Sequence, residues 1–265
     1  MTTSPQPPPP HVCAAFGARG SEPELIDGGP VWRCADTAIR PVAHPAEAAW
    51  VARTLDTLQV ENIRLGHPLR STDGRWVVGG WAATRYLPGR AEPRHDEVVA
   101  VSVRLHEATK GLLRPRFLDT RKGVFAVADR CAWGEDTVEL PAAKGGRLFD
   151  VVAGLCRPVS LTRQVVHGDL FGNVLFEAGA PPALIDFVPY WRPAEWAAAV
   201  VVVDALAWGG ADPGIIKRWE HLSEWPQVLV RALLFRLAAH ALHPNSTARS
   251  LLGLERVTHQ IIELV

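Results

Sequence analysis

The sequence has no surplus of charge of either sign. Its 28 Lys and Arg residues balance 28 Asp and Glu residues in a chain of 265, so the formal net charge is zero. A protein that binds a phosphate backbone or an anionic lipid surface needs an excess of cationic side chains. The composition therefore argues against a dedicated nucleic-acid binder, and we expect neither nucleic acid nor membrane among the partners.

The sequence also lacks the paired cysteines of a zinc or dithiol site. Its four cysteines, Cys13, Cys34, Cys131 and Cys156, form no CxxC pair, which is the spacing that such sites use. We therefore expect reduced thiols in a cytoplasmic protein.

No apolar run reaches the length of about 20 residues that spans a bilayer. The longest run, residues 196–208, is interrupted by Asp204. The first ten residues, MTTSPQPPPP, have neither the basic nor the apolar segment of a secretory signal. We expect residues 1–10 to be a disordered proline-rich tail on a soluble protein.

Four common catalytic fingerprints are missing as well. The GxSxG, HExxH, Walker A and GxGxxG patterns do not occur, which argues against the usual hydrolases, metalloproteases, GTPases and dehydrogenases. A hydrophobic content of 48% with 21% charged residues is nevertheless typical of a globular chain. The length suits one large domain or two lobes.

The first third of the chain has the pattern of short strands. Residues 24–26, 31–34 and 37–40 are β-type runs, and residues 63–70 and 75–83 flank a Ser-Thr-Asp-Gly hairpin signature. Between these runs, apolar residues recur at helical spacing from Pro45 to Leu58, which predicts a helix.

Beyond Gly89 the pattern is mainly helical. Periodic apolar residues predict helices near 98–108, 148–155, 194–208 and 225–242. Three short β-type runs at 164–166, 174–176 and 183–185 interrupt them and predict a small sheet element. The expected fold class is α+β, with a β-rich first part and a helical remainder.

The small sheet element carries the residues with the clearest chemistry. Its first loop contains His167, Asp169 and Asn173, and an Ile-Asp-Phe run with Asp186 follows the next turn. Phosphoryl transfer needs a carboxylate to orient or deprotonate a hydroxyl, and oxygen ligands to hold Mg²⁺ against nucleotide phosphates. Asp169 fits the first role, and Asn173 and Asp186 fit the second. We expect His167 to brace the loop by hydrogen bonding.

On these residues the sequence resembles the aminoglycoside phosphotransferase and choline kinase group, which has the protein-kinase-like fold. The matching motifs are the HGD-to-N loop at 167–173 and the Ile-Asp-Phe at 185–187, and the overlap spans residues 24–242. Residues 190–195 are most similar to an actinobacterial subgroup. The resemblance implies a bilobal protein, with a small β-rich N-lobe over 11–89 and a larger, mainly helical C-lobe over 90–265.

The resemblance implies ATP and Mg²⁺ as cofactors and a small molecule with a hydroxyl group as acceptor. It assigns catalysis to Asp169 and His167, and metal binding to Asn173 and Asp186. It assigns nucleotide binding to residues of the N-lobe, namely Gly28, Gly29, Arg40, Glu47, Thr84, Arg85 and Tyr86. We expect Glu47 to pair with Arg40. The identity of the acceptor and the oligomeric state remain open.

Three departures from the family pattern favour an alternative, a catalytically weak or inactive nucleotide-binding pseudokinase. Asp169 and Asn173 are four positions apart where the family has five. Arg40 replaces the usual lysine, and the two cations differ in shape at a phosphate site. Pro30 removes a backbone N–H from an already short glycine turn.

Two further interpretations concern single residues. Asp204, inside an apolar helix, either binds a cationic substrate or pairs internally. His167, Asp169 and His221 could together be the iron ligands of a non-haem oxygenase, but the helical second half argues against the β-barrel that such enzymes need.

Overall fold

The computed structural model describes residues 5–26 and 29–265. Contacts divide the described residues into two compact units. The first comprises the chain up to Ala91 together with Val174–Phe187, and the second comprises Glu92–Asn173 together with Val188–Val265. The predicted boundary at residue 89 places 174–187 in the second lobe, whereas the contacts of this segment group it with the first unit.

The secondary structure confirms the predicted α+β class, with strands concentrated in the first unit and helices in the second. In chain order the strands are β1 (Glu24–Ile26), β2 (Val31–Cys34), β3 (Thr37–Pro41), β4 (Arg64–Leu65), β5 (Pro68–Leu69), β6 (Val77–Val78), β7 (Trp81–Arg85), β8 (Gln164–His167), β9 (Val174–Leu175), β10 (Ala183–Leu184) and β11 (Pro189–Arg192). The helices are α1 (Pro10–Ala15), α2 (Pro45–Thr57), α3 (His95–Thr109), α4 (Val124–Ala132), α5 (Gly146–Ala153), α6 (Ala194–Asp204), α7 (Gly214–Arg218), α8 (Trp225–Leu242) and α9 (Ala248–Ile262).

The main sheet of the first unit has the order β1-β2-β3-β7-β5, with β6 also paired to β7. Side chains alternate between the two faces of a strand, and on β3 the buried residues are Thr37 and Ile39. Ile39 packs with Val12 and Phe16 from the α1 region in one apolar cluster. Arg40, the next residue, therefore lies on the face opposite this cluster.

The predicted strand over 75–83 is wrong in one respect, because a turn divides it. Gly79 and Gly80 both have positive φ, at 57° and 81°, a conformation that glycine adopts without steric cost. The chain reverses there, so that β6 pairs antiparallel with β7. The Ser71–Gly74 turn forms where the sequence predicts it, with the backbone N–H of Gly74 donating to the carbonyl of Ser71.

A second, smaller sheet in the first unit has the order β4-β10-β9. Strand β10 is parallel to β4 and antiparallel to β9. The predicted β-type runs at 174–176 and 183–185 supply β9 and β10. Because Asp186 follows β10 by two positions, this sheet sets where its carboxylate lies.

The second unit is built around α8, which packs against α4, α5, α6 and α9. Almost every residue of α6 and α8 is buried, as expected for helices that are apolar on all sides and form a core. A π-helical turn over Ala205–Gly209 continues α6. No helix in the described part of the chain has the length and apolar content needed to cross a membrane.

The predicted tail is structured in the part that the structure describes. Residues 5–9 lead directly into α1, Pro8 is buried, and its carbonyl accepts a hydrogen bond from the thiol of Cys13. Residues 1–4 lie outside the described residues, as do Asp27 and Gly28.

Folding brings two distant cysteines together in the core of the first unit. The Sγ atoms of Cys13 and Cys34 are 3.9 Å apart, a proximity that their separation of 21 positions in the sequence does not reveal. Both residues are buried, and burial together with Cys13 raises the pKa of the Cys34 thiol to about 12. Because both sulfur atoms are buried, and because the thiolate is the reactive form of Cys34, we expect this pair to react slowly in alkylation and thiol exchange.

We expect one fast-reacting thiol among the four cysteines. Desolvation raises the pKa of Cys156 as well, but Cys156 is exposed, whereas Cys13, Cys34 and Cys131 are buried, so accessibility distinguishes it from the other three. Ellman's reagent at pH 8 should therefore release one rapid equivalent from the native protein and four in denaturant. The Cys156→Ser variant should show no rapid phase, and a rapid phase that survives this substitution would mean that the core thiols are accessible.

Candidate active site

Strand β8 leads the chain into the HGD loop in a fixed position. All four residues of β8 are buried, and pairing with β11 sets His167 opposite Pro189. The runs at 164–166, 174–176 and 183–185 predict one small sheet element, whereas β8 pairs with β11 and β9 pairs with β10. Gly168 is required by packing, because a Cβ atom there would lie 2.4 Å from the ring of Tyr190. The loop therefore turns directly against an aromatic ring.

His167 holds this loop in place through hydrogen bonds. The side chain is fully buried, and its Nδ1 accepts a hydrogen bond of 3.1 Å from the backbone N–H of Asp169. The backbone N–H of His167 donates in turn to Nε2 of His106, at 2.9 Å. This geometry supports the predicted bracing role, which makes His167 a positioning residue.

His106 on α3 is a buried neutral imidazole. Its Nε2 accepts from the backbone of His167, so its Nδ1 carries the proton and donates to Oγ of Ser102 at 3.2 Å. Burial, and secondarily the neighbouring His167, lowers the pKa of His106 to about 3. His106 therefore supports the HGD loop in its uncharged form at neutral pH.

The carboxylate of Asp169 lies at the wall of a cavity of about 290 Å³ inside the second unit. Gly168, Tyr190, Phe125 and Arg236 line the same cavity. The Asp169 side chain is 47% exposed, and its Oδ1 accepts a hydrogen bond of 3.1 Å from Nη2 of Arg236. Within residues 5–26 and 29–265, no group donates to its Oδ2.

Arg236 is itself held by a second carboxylate, that of Asp204. Nε of Arg236 donates to Oδ1 of Asp204 at 2.6 Å, and Nη2 pairs with Oδ2. Burial raises the pKa of Asp204 to about 6, against the lowering effect of Arg236. Burial acts to lower the pKa of Arg236, but the two carboxylates raise it above its ordinary value. Of the two interpretations of Asp204, the structure supports internal pairing.

Asn173 closes the shortened loop. Its backbone N–H donates to the carbonyl of Leu170 at 3.0 Å, and Gly172 adopts the positive φ of 86° that this turn needs. The side-chain Nδ2 donates to the carbonyl of Asp169 at 2.7 Å. The amide nitrogen is therefore used inside the loop, and the amide oxygen is left as an acceptor.

Asp186 pairs with Arg40 inside the first unit. The guanidinium Nη1 of Arg40 contacts Oδ1 of Asp186, and both side chains are 31% exposed. The same oxygen accepts a hydrogen bond of 2.8 Å from the backbone N–H of Phe187. The structure thus joins a predicted nucleotide-binding residue to a predicted metal ligand.

The remaining predicted nucleotide-binding residues are partly engaged with the β2–β3 turn. Thr84 and Arg85 belong to β7, and Arg85 forms an ion pair of 2.8 Å with Asp36. The backbone N–H of Tyr86 donates to the carbonyl of Asp36, and the guanidinium of Arg33 stacks over the Tyr86 ring.

The glycine turn is described only from Gly29 onward, because Gly28 lies outside the described residues. The carbonyl of Gly29 accepts a hydrogen bond of 2.8 Å from the backbone N–H of Val31. Glu47 lies in the first turn of α2, and its pairing with Arg40 stays a prediction.

The structure does not assemble the three residues of the iron-oxygenase interpretation. In the described residues, no three His, Cys, Asp or Glu side chains come close enough to hold a metal ion together. His167, Asp169 and His221 are therefore not a ligand set.

Sequence reasoning missed two residues of this site, His106 and Arg236. Arg236 is one of two arginines in the almost entirely buried helix α8, and long cationic side chains are rarely buried unless they are paired. That signal marks Arg236 as paired but does not identify its partners. His106 gives no sequence signal, because a histidine in an amphipathic helix is an ordinary surface residue.

The whole chain was compared with known proteins. No protein-family model matches it, and no curated protein sequence matches it. Among solved structures, the aminoglycoside phosphotransferase APH(4)-Ia matches with a TM-score of 0.57 and 13% identity, over 96% of this chain and 97% of that chain. A thermostable mutant of it, in ternary complex with AMP-PNP and hygromycin B, matches with a TM-score of 0.58 and 13% identity, over 96% and 98%.

The chain has the protein-kinase-like fold of the aminoglycoside phosphotransferases. The fold implied by the HGD loop and the Ile-Asp-Phe run is thereby confirmed. The choline kinase LicA from Streptococcus pneumoniae gives a TM-score of 0.48 with 10% identity, over 91% of this chain and 92% of that chain, and adds nothing to this assignment. At these identities the likeness to the phosphotransferase structures shows a shared fold. It does not show which substrate this chain binds.

The neutral His106 predicts a specific loss of stability in acid. Its folded-state pKa of about 3 lies below the ordinary 6.5, so below pH 6.5 the unfolded chain takes up a proton that the native protein does not. The free energy of unfolding should then fall by about 1.4 kcal/mol per pH unit relative to a His106→Gln variant.

Urea unfolding at pH 7.5 and pH 5.5 measures this difference. His221→Gln, which replaces an exposed histidine, is the matched control and should follow the wild type at both values. If the gap between wild type and His106→Gln is the same at both pH values, His106 does not titrate as described.

Proposed function

We propose that the protein is an ATP- and Mg²⁺-dependent phosphotransferase that moves the γ-phosphoryl group to a hydroxyl of a small molecule. The observation that carries this proposal is the carboxylate of Asp169. It is half-exposed at a cavity wall, one oxygen is fixed by Arg236, and the other accepts no hydrogen bond from the described residues. A small-molecule hydroxyl in that cavity has an acceptor within reach.

The proposed chemistry follows from that carboxylate. The acceptor hydroxyl donates to Oδ2 of Asp169, which orients its oxygen and takes its proton as the new O–P bond forms. The bond between the γ-phosphorus and the oxygen that bridges it to the β-phosphate breaks, and ADP leaves with the electron pair of that bond. His167 and Gly168 contribute by holding Asp169 in place.

The two residues that we propose as metal ligands carry the oxygen types that Mg²⁺ binds. This ion prefers oxygen ligands from carboxylates and carbonyl groups, and the amide oxygen of Asn173 is left over once its nitrogen has bonded inside the loop. Asp186 supplies a carboxylate whose side chain is 31% exposed. We propose both residues as metal ligands. When bound, the ion neutralises the charge of the nucleotide phosphates.

The proposal that the phosphoryl donor is a nucleotide rests on the similarity of fold to nucleotide-binding proteins. Structures of APH(4)-Ia variants were solved as ternary complexes with AMP-PNP or ADP and hygromycin B. For this chain we propose ATP as the donor, with Arg40 as the phosphate-facing cation of the first unit. Because the net charge of the chain is zero, it does not favour a strongly cationic antibiotic over other hydroxyl compounds as the acceptor.

Asp169→Asn should lower phosphoryl transfer by about 10²- to 10⁴-fold, the usual contribution of a positioned general base. Transfer from γ-³²P-labelled ATP is measured to water and to a panel of amino alcohols, sugars and aminoglycosides. Asp150→Asn, at an exposed carboxylate of α5, is the control and should act like the wild type. Equal rates for Asp169→Asn and wild type would exclude the proposed role.

A second candidate function is nucleotide binding without transfer, and the Arg40–Asp186 pair favours it. A guanidinium that contacts the Asp186 carboxylate neutralises the charge that would attract Mg²⁺. In that case the cation of β3 substitutes for the metal. Nucleotide would then bind without Mg²⁺ and would not be turned over.

The Mg²⁺ dependence of ATP binding separates the two candidates. If the protein is a phosphotransferase, ATP should raise the melting temperature of the wild type by several degrees with Mg²⁺ and much less with EDTA. Asp186→Asn should remove the difference between the two conditions. Equal shifts with Mg²⁺ and EDTA, together with no transfer, would favour the second candidate.

A further inference from the structure

We propose that Arg236 and Asp204 are positioning residues, which together fix the carboxylate of Asp169 for catalysis. This inference rests on the proposed function, because it gives Asp169 the role of base. Neither residue belongs to the HGD loop or to the Ile-Asp-Phe run. Both come from the helical core of the second unit, Asp204 as the last residue of α6 and Arg236 from the middle of α8.

The hydrogen bonds to Asp204 hold the guanidinium of Arg236 in a single orientation. Nε and Nη2 together bind the two oxygens of Asp204, in the bidentate geometry that suits a planar guanidinium. Nη2 carries a second hydrogen, and that hydrogen bonds Oδ1 of Asp169 at 3.1 Å. Because Asp204 fixes the plane of the guanidinium, it also fixes the direction in which Asp169 is held.

Of the two carboxylates that Arg236 binds, that of Asp169 is exposed to the cavity and that of Asp204 is buried. The side chains of Arg236 and Asp204 are 7% and 2% exposed, whereas that of Asp169 is 47% exposed. The buried pair is neutral as a unit, so the cluster of two carboxylates and one guanidinium keeps one negative charge. The Asp169 carboxylate is therefore oriented by Arg236 and is still open to the cavity.

The matched control lies on the same helix. Arg231 is also a buried arginine of α8, and its guanidinium donates to Gln227 and to the carbonyl of Arg157. Replacing Arg231 removes a buried guanidinium of the same size from the same helix, but leaves the Asp169 cluster intact. Any effect common to both arginines is structural, and an effect confined to Arg236 is positional.

Arg236→Met alone would leave Asp204 as an unpaired buried carboxylate and could prevent folding. The test variant is therefore Arg236→Met combined with Asp204→Asn, which leaves no buried charge unpaired. Arg236→Lys is the conservative variant, since an ammonium can reach a carboxylate but cannot bind Asp204 through two parallel bonds. Melting curves identify any variant that does not fold.

The first readout is the steady-state hydrolysis of Mg²⁺-ATP, with water as the acceptor. In the double variant kcat should fall on the order of 100-fold, while KM for ATP stays within about twofold. Arg236→Lys should recover part of kcat, and Arg231→Met should keep the wild-type value. A double variant that folds and keeps wild-type kcat overturns the inference.

The second readout does not depend on turnover. In a crystal structure of the double variant, the Asp169 side chain should leave its wild-type rotamer or occupy several, whereas in Arg231→Met it should stay in place. If the wild type shows no Asp169-dependent turnover, the proposed function fails, and the rotamer alone decides whether Arg236 positions Asp169. An unchanged, well-ordered Asp169 in the double variant overturns the inference.

Discussion

The ion pair between Arg236 and Asp204 is the constraint on which the orientation of the Asp169 carboxylate depends. A buried ion pair is a poor source of stability, because removing both charges from water costs about as much as their attraction returns. The pair nevertheless lies between the two most buried helices of the second unit, α6 and α8. Its contribution is to orient the Asp169 carboxylate, because apolar side chains of the same size would fill the space but could not donate a hydrogen bond to it.

The loop is held from two sides by groups of different chemistry. On one side the charged pair binds the Asp169 carboxylate, and on the other the neutral imidazoles of His106 and His167 bind the loop backbone. The ring of Tyr190 packs so closely against this loop that only glycine fits at position 168. The Asp169 side chain and the backbone of the HGD loop are thus held by different groups. Such a preorganised arrangement is expected for a catalytic carboxylate, because it need not rearrange when charge develops in the transition state.

The sequence predicted the architecture better than it predicted the contacts within it. Strong periodicity revealed α6 and α8 and the β-type runs around the HGD loop, whereas α4 was missed because it is short, and β11 because its residues follow the motif without alternation. The roles proposed for Asp169, Asn173 and Asp186 came from motif order. The partners Arg236 and Arg40 are distant in sequence, and only the folded chain brings them to these carboxylates.

The way the chain divides between its two units has a consequence for biosynthesis. Strand β4 emerges early from the ribosome, but its parallel partner β10 is made only after the Glu92–Asn173 part of the second unit has been translated. The smaller sheet therefore cannot close until residue 184 has been made, and until then β4 has unpaired backbone groups. No single cut separates the units, so a fragment that ends near Ala91 would lack two of the strands on which its own fold depends.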